Sequence, residues 1–311
     1  MRKISVIGGG LIGRAWAIVF SRADYSVAIF DPVSNAAAHI VPRIADSLNE
    51  MECHSLLGPG EKDQIMERIM VCEHLGQCVQ GSAYVQECAS EVLTIKQNLF
   101  CEIEPLIGND VILASSTSTF MPSVLFRRCQ VRERCLVVHP VNPPHLVPLV
   151  ELVPSSETTV FTLKQVRQLM QAVGQIPITL KQEIAGFVLN RLQVALVNEA
   201  ISLVAHGIAS MEEVDVAVKY GLSRRWVFMG PFETIDLNAP GGIRDYLERY
   251  EELYRLARNF QPMAPFPQEL LNTLENERRG VLPIADLESR SGWRDRQLMR
   301  VTRFFAQAKK F

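Results

Sequence analysis

Residues 4–13 read ISVIGGGLIG. A short β-rich run enters three consecutive glycines, and a fourth glycine stands at position 13. The spacing Gly8-x-Gly10-x-x-Gly13 signals a dinucleotide-binding turn only where a strand precedes it and a helix follows. Ile4–Ile7 supplies the strand, and Leu11–Ala23 has the apolar spacing of a helix. Gly8 then allows the tight turn, Gly10 lets a pyrophosphate approach the backbone, and Gly13 lets helix and strand pack closely. The helix start at Leu11 and Ile12 offers unpaired N–H groups and a partial positive charge to phosphates. A second apolar run, Val27–Asp31, ends on an acid 18 residues past Gly13. A carboxylate there accepts hydrogen bonds from ribose hydroxyls and repels a 2′-phosphate, which favours NAD over NADP. The next residue is Pro32, with no adjacent arginine to rescue NADP.

Outward from this turn the first half alternates. Helical segments are expected at Asn35–Glu50 and Gly60–Glu67. Further strands are expected at Ile69–Cys72, Tyr84–Glu87, Val111–Ala114, Leu136–His139 and Leu149–Val153. Strands alternating with helices predict an α/β, Rossmann-type, doubly wound parallel sheet. After about residue 183 the character changes. Ala185–His206 is almost continuously apolar and ends at Gly207. Ser210–Glu213 reads as a capping box whose helix Gly221 closes, and Pro231 can open another helix. Gly242–Asn259 and Gly292–Ala308 are periodic and charged on one face. The expected organisation is a Rossmann-type domain over residues 1–183 and an all-helical C-terminal domain over 184–311.

Composition narrows the function. Of 311 residues, 48% are hydrophobic and 21% charged, the profile of a globular protein with a substantial core. A net charge of −2 offers no field for nucleic acid or an anionic membrane. No stretch of about 18 apolar residues predicts a membrane span. The seven cysteines all lie in the first half, with no C-x-x-C pair. Reduced thiols in a cytoplasmic protein, with no metal site, are expected.

A second stretch raises the question of chemistry. Residues 139–154 read HPVNPPHLVPLVELVP. His139 ends an apolar strand, at the sheet edge where open α/β folds bind ligands. The prolines force an extended, turning path that can bring the chain back alongside itself. Glu151 then falls in the return strand within reach of His139, and Asn142 can tie down the turn. A carboxylate on one imidazole nitrogen leaves the other to take a proton and stabilises the imidazolium that forms. From spacing alone, a purely structural His–Glu hydrogen bond explains the pattern as well. Two further segments bear on the choice. Ala114–Thr119 (ASSTST) places hydroxyls after a strand at the same edge, although a plain Ser/Thr loop reads the same way. Asn190, in AGFVLNR, sits early in a helix too apolar for the surface; it calls for a partner, a substrate oxygen or a backbone group.

Together, Gly8–Gly13, the S-x-T-S loop, H-x-x-N-P, the glutamate twelve residues after the histidine and G-F-x-x-N-R resemble the L-3-hydroxyacyl-CoA dehydrogenase superfamily. The longer strings HPVNPPHLVPLVELVP, AGFVLNRLQ and MGPFET resemble its lambda-crystallin / L-gulonate 3-dehydrogenase branch. The likeness runs from Ile4 to about Arg296. It implies a two-domain enzyme, a homodimer through its helical domain, that moves a hydride between NAD and the β-carbon of a hydroxy acid or its thioester. It further implies that His139 is the base in oxidation, that Glu151 orients it, and that Ser118 and Asn190 hydrogen-bond the reacting oxygen. An E-x-x-x-x-K pair near the cofactor falls on Glu91 and Lys96. Thioester-using relatives commonly carry Asn where this chain has Ser116, which points to a free acid such as L-gulonate. An L-3-hydroxyacyl-CoA, L-carnitine, or a crystallin-like structural role without turnover are the alternatives. A free acid needs a cation for its carboxylate. Arg225 is the first candidate, since a guanidinium fork suits a carboxylate; Arg191 and Arg224 are rivals, and a surface role for Arg225 is equally open.

Overall fold

The computed structural model of the chain describes residues 2–257 and 267–308. These form two compact units. One runs to Val188 and resumes at Asp286; the other is Leu189–Ala285.

The first unit is built on one eight-stranded sheet. Its strands are β1 (Lys3–Ile7), β2 (Ser26–Phe30), β3 (Ile69–Cys72), β4 (Ser82–Glu87), β5 (Ile112–Ser115), β6 (Cys135–Pro140), β7 (Leu149–Pro154) and β8 (Ile176–Thr179). Their order is β3-β2-β1-β4-β5-β6-β7-β8, and every pair is parallel except β6–β7. The expected doubly wound α/β fold is therefore present. Helices cover both faces, so the strands are apolar on both sides. Period-two alternation sends Val27, Ile29, Leu136 and Val138 into one core, with Trp16 and Phe20 of helix α1 (Leu11–Arg22). Ala28, Val85, Leu113 and Val137 enter the other, with Phe100 and Phe187. Each fully buried Ile, Leu or Phe contributes about 1.5–3 kcal/mol, so these two layers hold the sheet.

The antiparallel β7 is the product of the proline-rich turn. The turn is closed by the Leu146 and Val147 N–H groups, both 3.0 Å from the Pro143 carbonyl. Asn142 is exposed and makes none of the side-chain hydrogen bonds found among the described residues, so it does not tie the turn down as expected. The strand β8 was not expected. It is a four-residue edge strand containing Pro177, and proline is tolerated at such an edge.

The helical unit carries Leu189–Ala205, Met211–Val216, Pro231–Asp236, Gly242–Arg249, Glu251–Ala257 and Gln268–Val281. The capping box forms as expected, with Glu213 N–H donating to Ser210 Oγ at 3.2 Å and Ser210 N–H to Glu213 Oε2 at 2.8 Å. Pro231 opens its helix. Gly221 does not close one: the chain continues through it in a π-helical segment, Ala217–Leu222, into Ser223–Trp226. Gly221 lacks the positive φ that a helix-ending glycine adopts, whereas Gly207 has it at +67°. The expected end of another helix at Asn259 lies outside the described residues.

One helix differs from the expected division at residue 183. Leu287–Ala308 belongs to the first unit. Met299 is 3% exposed in the core that holds Trp16 and Ile44. Thr302 Oγ1 donates to the Leu146 carbonyl at 3.1 Å, and Arg296 lies 3.7 Å from Glu50. These contacts, far apart in sequence, draw the last helix back to the sheet.

Candidate functional site

The strand order reverses direction between β1 and β4, and a crevice opens at their carboxyl ends in such sheets. The glycine turn sits there, and its glycines differ in what they need. Gly8 has φ +106°, and a Cβ on it would lie 2.5 Å from the Cys88 carbonyl oxygen. A Cβ on Gly13 would lie 1.8 Å from the Gly8 carbonyl oxygen. Gly10 has nothing within 4 Å of that position. Close contacts thus force two glycines, while the third leaves its space to a ligand. Gly10 is also the N-cap of α1 and supplies no side chain to its first amides, at Leu11, Ile12 and Gly13. Asp31, just past β2, accepts from Gly9 N–H at 2.7 Å and Val33 N–H at 3.0 Å. An open cradle, a bare helix N-terminus and a carboxylate beside them suit the pyrophosphate and ribose of NAD. Beside the turn, burial pushes the Cys88 thiol up to about 12.

Three strands along, His139 and Glu151 occupy directly opposed positions in the antiparallel β6–β7 pair. Such neighbours are close enough for their side chains to meet. His139 Nδ1 is 2.7 Å from Glu151 Oε2. The second carboxylate oxygen accepts from Val188 N–H at 2.8 Å. Glu151 is fully buried and His139 is 6% exposed. Burying a lone carboxylate is costly, and these two bonds offset it. Phe187, fully buried and at φ +49°, places its ring 5.4 Å from the imidazole. The imidazole is thus held at Nδ1 and flanked by an aromatic wall, with Nε2 as the remaining nitrogen.

Between these two places lies the loop after β5. Glu91 Oε1 accepts from Thr117 Oγ1 at 2.6 Å, Ser118 N–H at 3.0 Å and Thr119 N–H at 3.1 Å. Ser118 Oγ is 3.4 Å from the same atom, and Ser118 is exposed. Lys96 is 3.3 Å from Glu91 Oε2, and it donates to Glu87 Oε1 at 2.7 Å and the Ala89 carbonyl at 3.0 Å. Burial by itself would raise the Glu91 carboxyl; the Thr117 hydroxyl, the Lys96 charge and the Ser118 amide outweigh it and hold the group below the usual range. For Glu87 burial prevails over Lys96 and Ser115 and raises the carboxyl.

Ser116 faces away from this loop's open side. Its hydroxyl accepts from Trp16 Nε1 at 3.1 Å and Gln86 Nε2 at 2.8 Å, with Cys88 Sγ 3.3 Å away. Residue 116 thus packs beneath α1.

Ser118, His139, Glu151, Glu91, Lys96, Asp31 and the glycines all belong to the first unit. Asn190 and Arg225 belong to the helical unit. Asn190 lies in the first turn of Leu189–Ala205. Arg225 is exposed, with Nη1 3.5 Å from Asn238 Oδ1. The sequence reading gave no role to Glu87, Phe187 or the Val188 amide, and took Ser115 only as one hydroxyl of the ASSTST loop. Only Glu87 carried a signal: like Asp31, it is an acid closing an apolar run. Among the described residues no helix is long and apolar enough to cross a membrane, and no three His, Cys, Asp or Glu are grouped to hold a metal.

A family model described as 3-hydroxyacyl-CoA dehydrogenase, NAD binding domain, matches residues 3–184, and one described as 3-hydroxyacyl-CoA dehydrogenase, C-terminal domain, matches residues 186–280. The chain is 36% identical over 308 residues to the lambda-crystallin homolog of Homo sapiens, covering 98% of this chain and 96% of that protein. It is 33% identical over 277 residues to the L-carnitine dehydrogenase of Bacillus cereus, covering 89% and 82%. Among solved structures, the (S)-3-hydroxybutyryl-CoA dehydrogenase PaaH1 from Ralstonia eutropha is similar at a TM-score of 0.69 and 26% identity, covering 84% of this chain and 90% of that one.

Proposed function

Because this chain belongs to the 3-hydroxyacyl-CoA dehydrogenase family and is an NAD-dependent dehydrogenase acting on a CH–OH group, we propose that it oxidises a free 3-hydroxy acid, L-gulonate first, to the 3-keto acid. The observation that carries the catalytic part is the His139–Glu151–Val188 arrangement. Glu151 fixes the imidazole through Nδ1, so Nε2 is left to take the hydroxyl proton and to return it in the reverse direction. The imidazolium that forms gains a charge partner 2.7 Å away. NAD, when bound, accepts the hydride from the carbinol carbon. Ser118 and Asn190 donate to the reacting oxygen as charge develops on it. Arg225 takes the carboxylate as a fork. Gly8, Gly10 and Gly13, the Leu11 and Ile12 amides, and Asp31 would hold the dinucleotide, with Glu91 and Lys96 completing the cofactor site.

The free-acid reading draws support from the relative named L-carnitine dehydrogenase, whose named substrate is a free 3-hydroxy acid. A homodimer in the cytoplasm accompanies this reading. The helical unit displays Phe228, Phe232, Leu237 and Val281, each at least 65% exposed, large apolar side chains of the kind that a partner surface covers.

A panel of L-gulonate, L-carnitine, L-3-hydroxybutyrate and 3-hydroxybutyryl-CoA, each with NAD⁺, tests the substrate class. The highest kcat/KM is expected with a free acid. A preference for the thioester would overturn that, and tight NADH binding without turnover on any of the four would favour a structural, crystallin-like role.

A further inference from the structure

The buried ion pair at the end of β4 is larger than a fold requires at that place. Glu87 and Lys96 are 0% and 1% exposed. Bringing two charges out of water is expensive, and such a pair contributes little net stability over apolar residues of the same volume. Its connections are specific. Glu87 Oε1 accepts from Ala89 N–H at 2.6 Å and from Lys96, while Oε2 accepts from Ser115 Oγ. Ser115 Oγ in turn accepts from Thr117 N–H at 3.1 Å. An ammonium has three protons. Glu87 and the Ala89 carbonyl accept two from Lys96, and Glu91 Oε2 lies 3.3 Å from the same nitrogen as an ion pair.

One carboxylate therefore controls two loops. Through Ala89 it fixes the segment pressed against Gly8, where the Cys88 carbonyl and Ala89 nitrogen define the turn's wall. Through Lys96 it fixes Glu91, and Glu91 holds the amides of Ser118 and Thr119. Through Ser115 it holds the Thr117 amide. We infer that Glu87 is a positioning residue for the dehydrogenase reaction: with Lys96 it locks the Glu91 carboxylate that aims Ser118. This rests on the reading of Ser118 as a donor to the reacting oxygen.

Glu87→Gln in the full chain tests it. The amide keeps the shape and removes the charge, so Lys96 turns more of its charge on Glu91 and loosens the bonds to residues 117–119. Amide hydrogen exchange at Ser118 and Thr119 should rise at least tenfold while β1 and β4 stay protected. With NAD⁺ and the best acid of the panel, kcat should fall by about 10²-fold, the loss that follows from roughly 1 Å of misplacement. KM and the NADH Kd should change far less than kcat, with kcat counted per NADH-binding site so that an unfolded fraction does not register as a loss. Ser115→Ala removes one donor from Glu87 with little risk to folding; it should move exchange and kcat the same way, by on the order of tenfold. A folded Glu87→Gln protein with wild-type kcat, or with unchanged exchange at Ser118 and Thr119, overturns the inference; should Glu87→Gln not fold, wild-type kcat and exchange in Ser115→Ala overturn it equally. Faster exchange in variants of a protein whose wild type turns over none of the acids would instead uphold the lock and refute the reading of Ser118.

Discussion

His139→Gln is expected to lower kcat by about 10²–10⁴-fold while NADH still binds, because a positioned general base contributes that much to rate. Glutamine is near the volume of histidine and can still donate to Glu151 through its amide. The buried carboxylate thus keeps a partner at the position where His139 Nδ1 now stands 2.7 Å away, so the fold survives. What is lost is a nitrogen able to accept a proton. Steady-state kinetics with a fluorescence titration of NADH separate the two effects. Retained turnover would remove His139 from the chemistry, and lost NADH affinity would mean that its role is in the cofactor site.

The second large effect is expected at the glycine turn. Gly13→Ala brings a methyl to 1.8 Å from the Gly8 carbonyl oxygen, and the neighbour is backbone that cannot rotate away. Overpacking of this kind exceeds the usual 1–3 kcal/mol, so we expect a loss of more than about 3 kcal/mol in denaturant unfolding and no measurable NADH binding. Gly10→Ala is the control. Nothing lies within 4 Å of its added methyl, so stability should stay within about 0.5 kcal/mol. NADH affinity should nevertheless fall, because the pyrophosphate needs that space. An unchanged affinity in Gly10→Ala would place the dinucleotide elsewhere.

The sequence disclosed the sheet because strands covered on both faces read as short apolar runs between turns. It disclosed His139 and Glu151 because four prolines between them leave the chain little choice but to double back. It did not disclose β8, where a proline and a half-exposed Ile176 break the strand signal. Gly221 misled for the opposite reason: glycine punctuates a helix only where the backbone turns left-handed, and here it does not. Resemblance put Lys96 near the cofactor, but nothing in the sequence showed that it is buried. Charge in a sequence is silent about whether a partner exists elsewhere in the chain, and Glu87 is nine residues away on a strand. The return of the last helix was also hidden. Met299 and Thr302 meet Trp16's core and Leu146 across separations that no local pattern encodes.

Transfer of hydrogen from carbon to cofactor is the claim on which the rest stands. The direct measurement uses the panel's best acid carrying deuterium on its carbinol carbon, incubated with the protein and NAD⁺, with the nicotinamide product analysed by mass spectrometry. The His139–Glu151 site beside the glycine turn predicts NADH carrying one deuterium and the matching 3-keto acid. Reduced cofactor without deuterium, or no reduced cofactor from any acid or thioester in the panel, would contradict it.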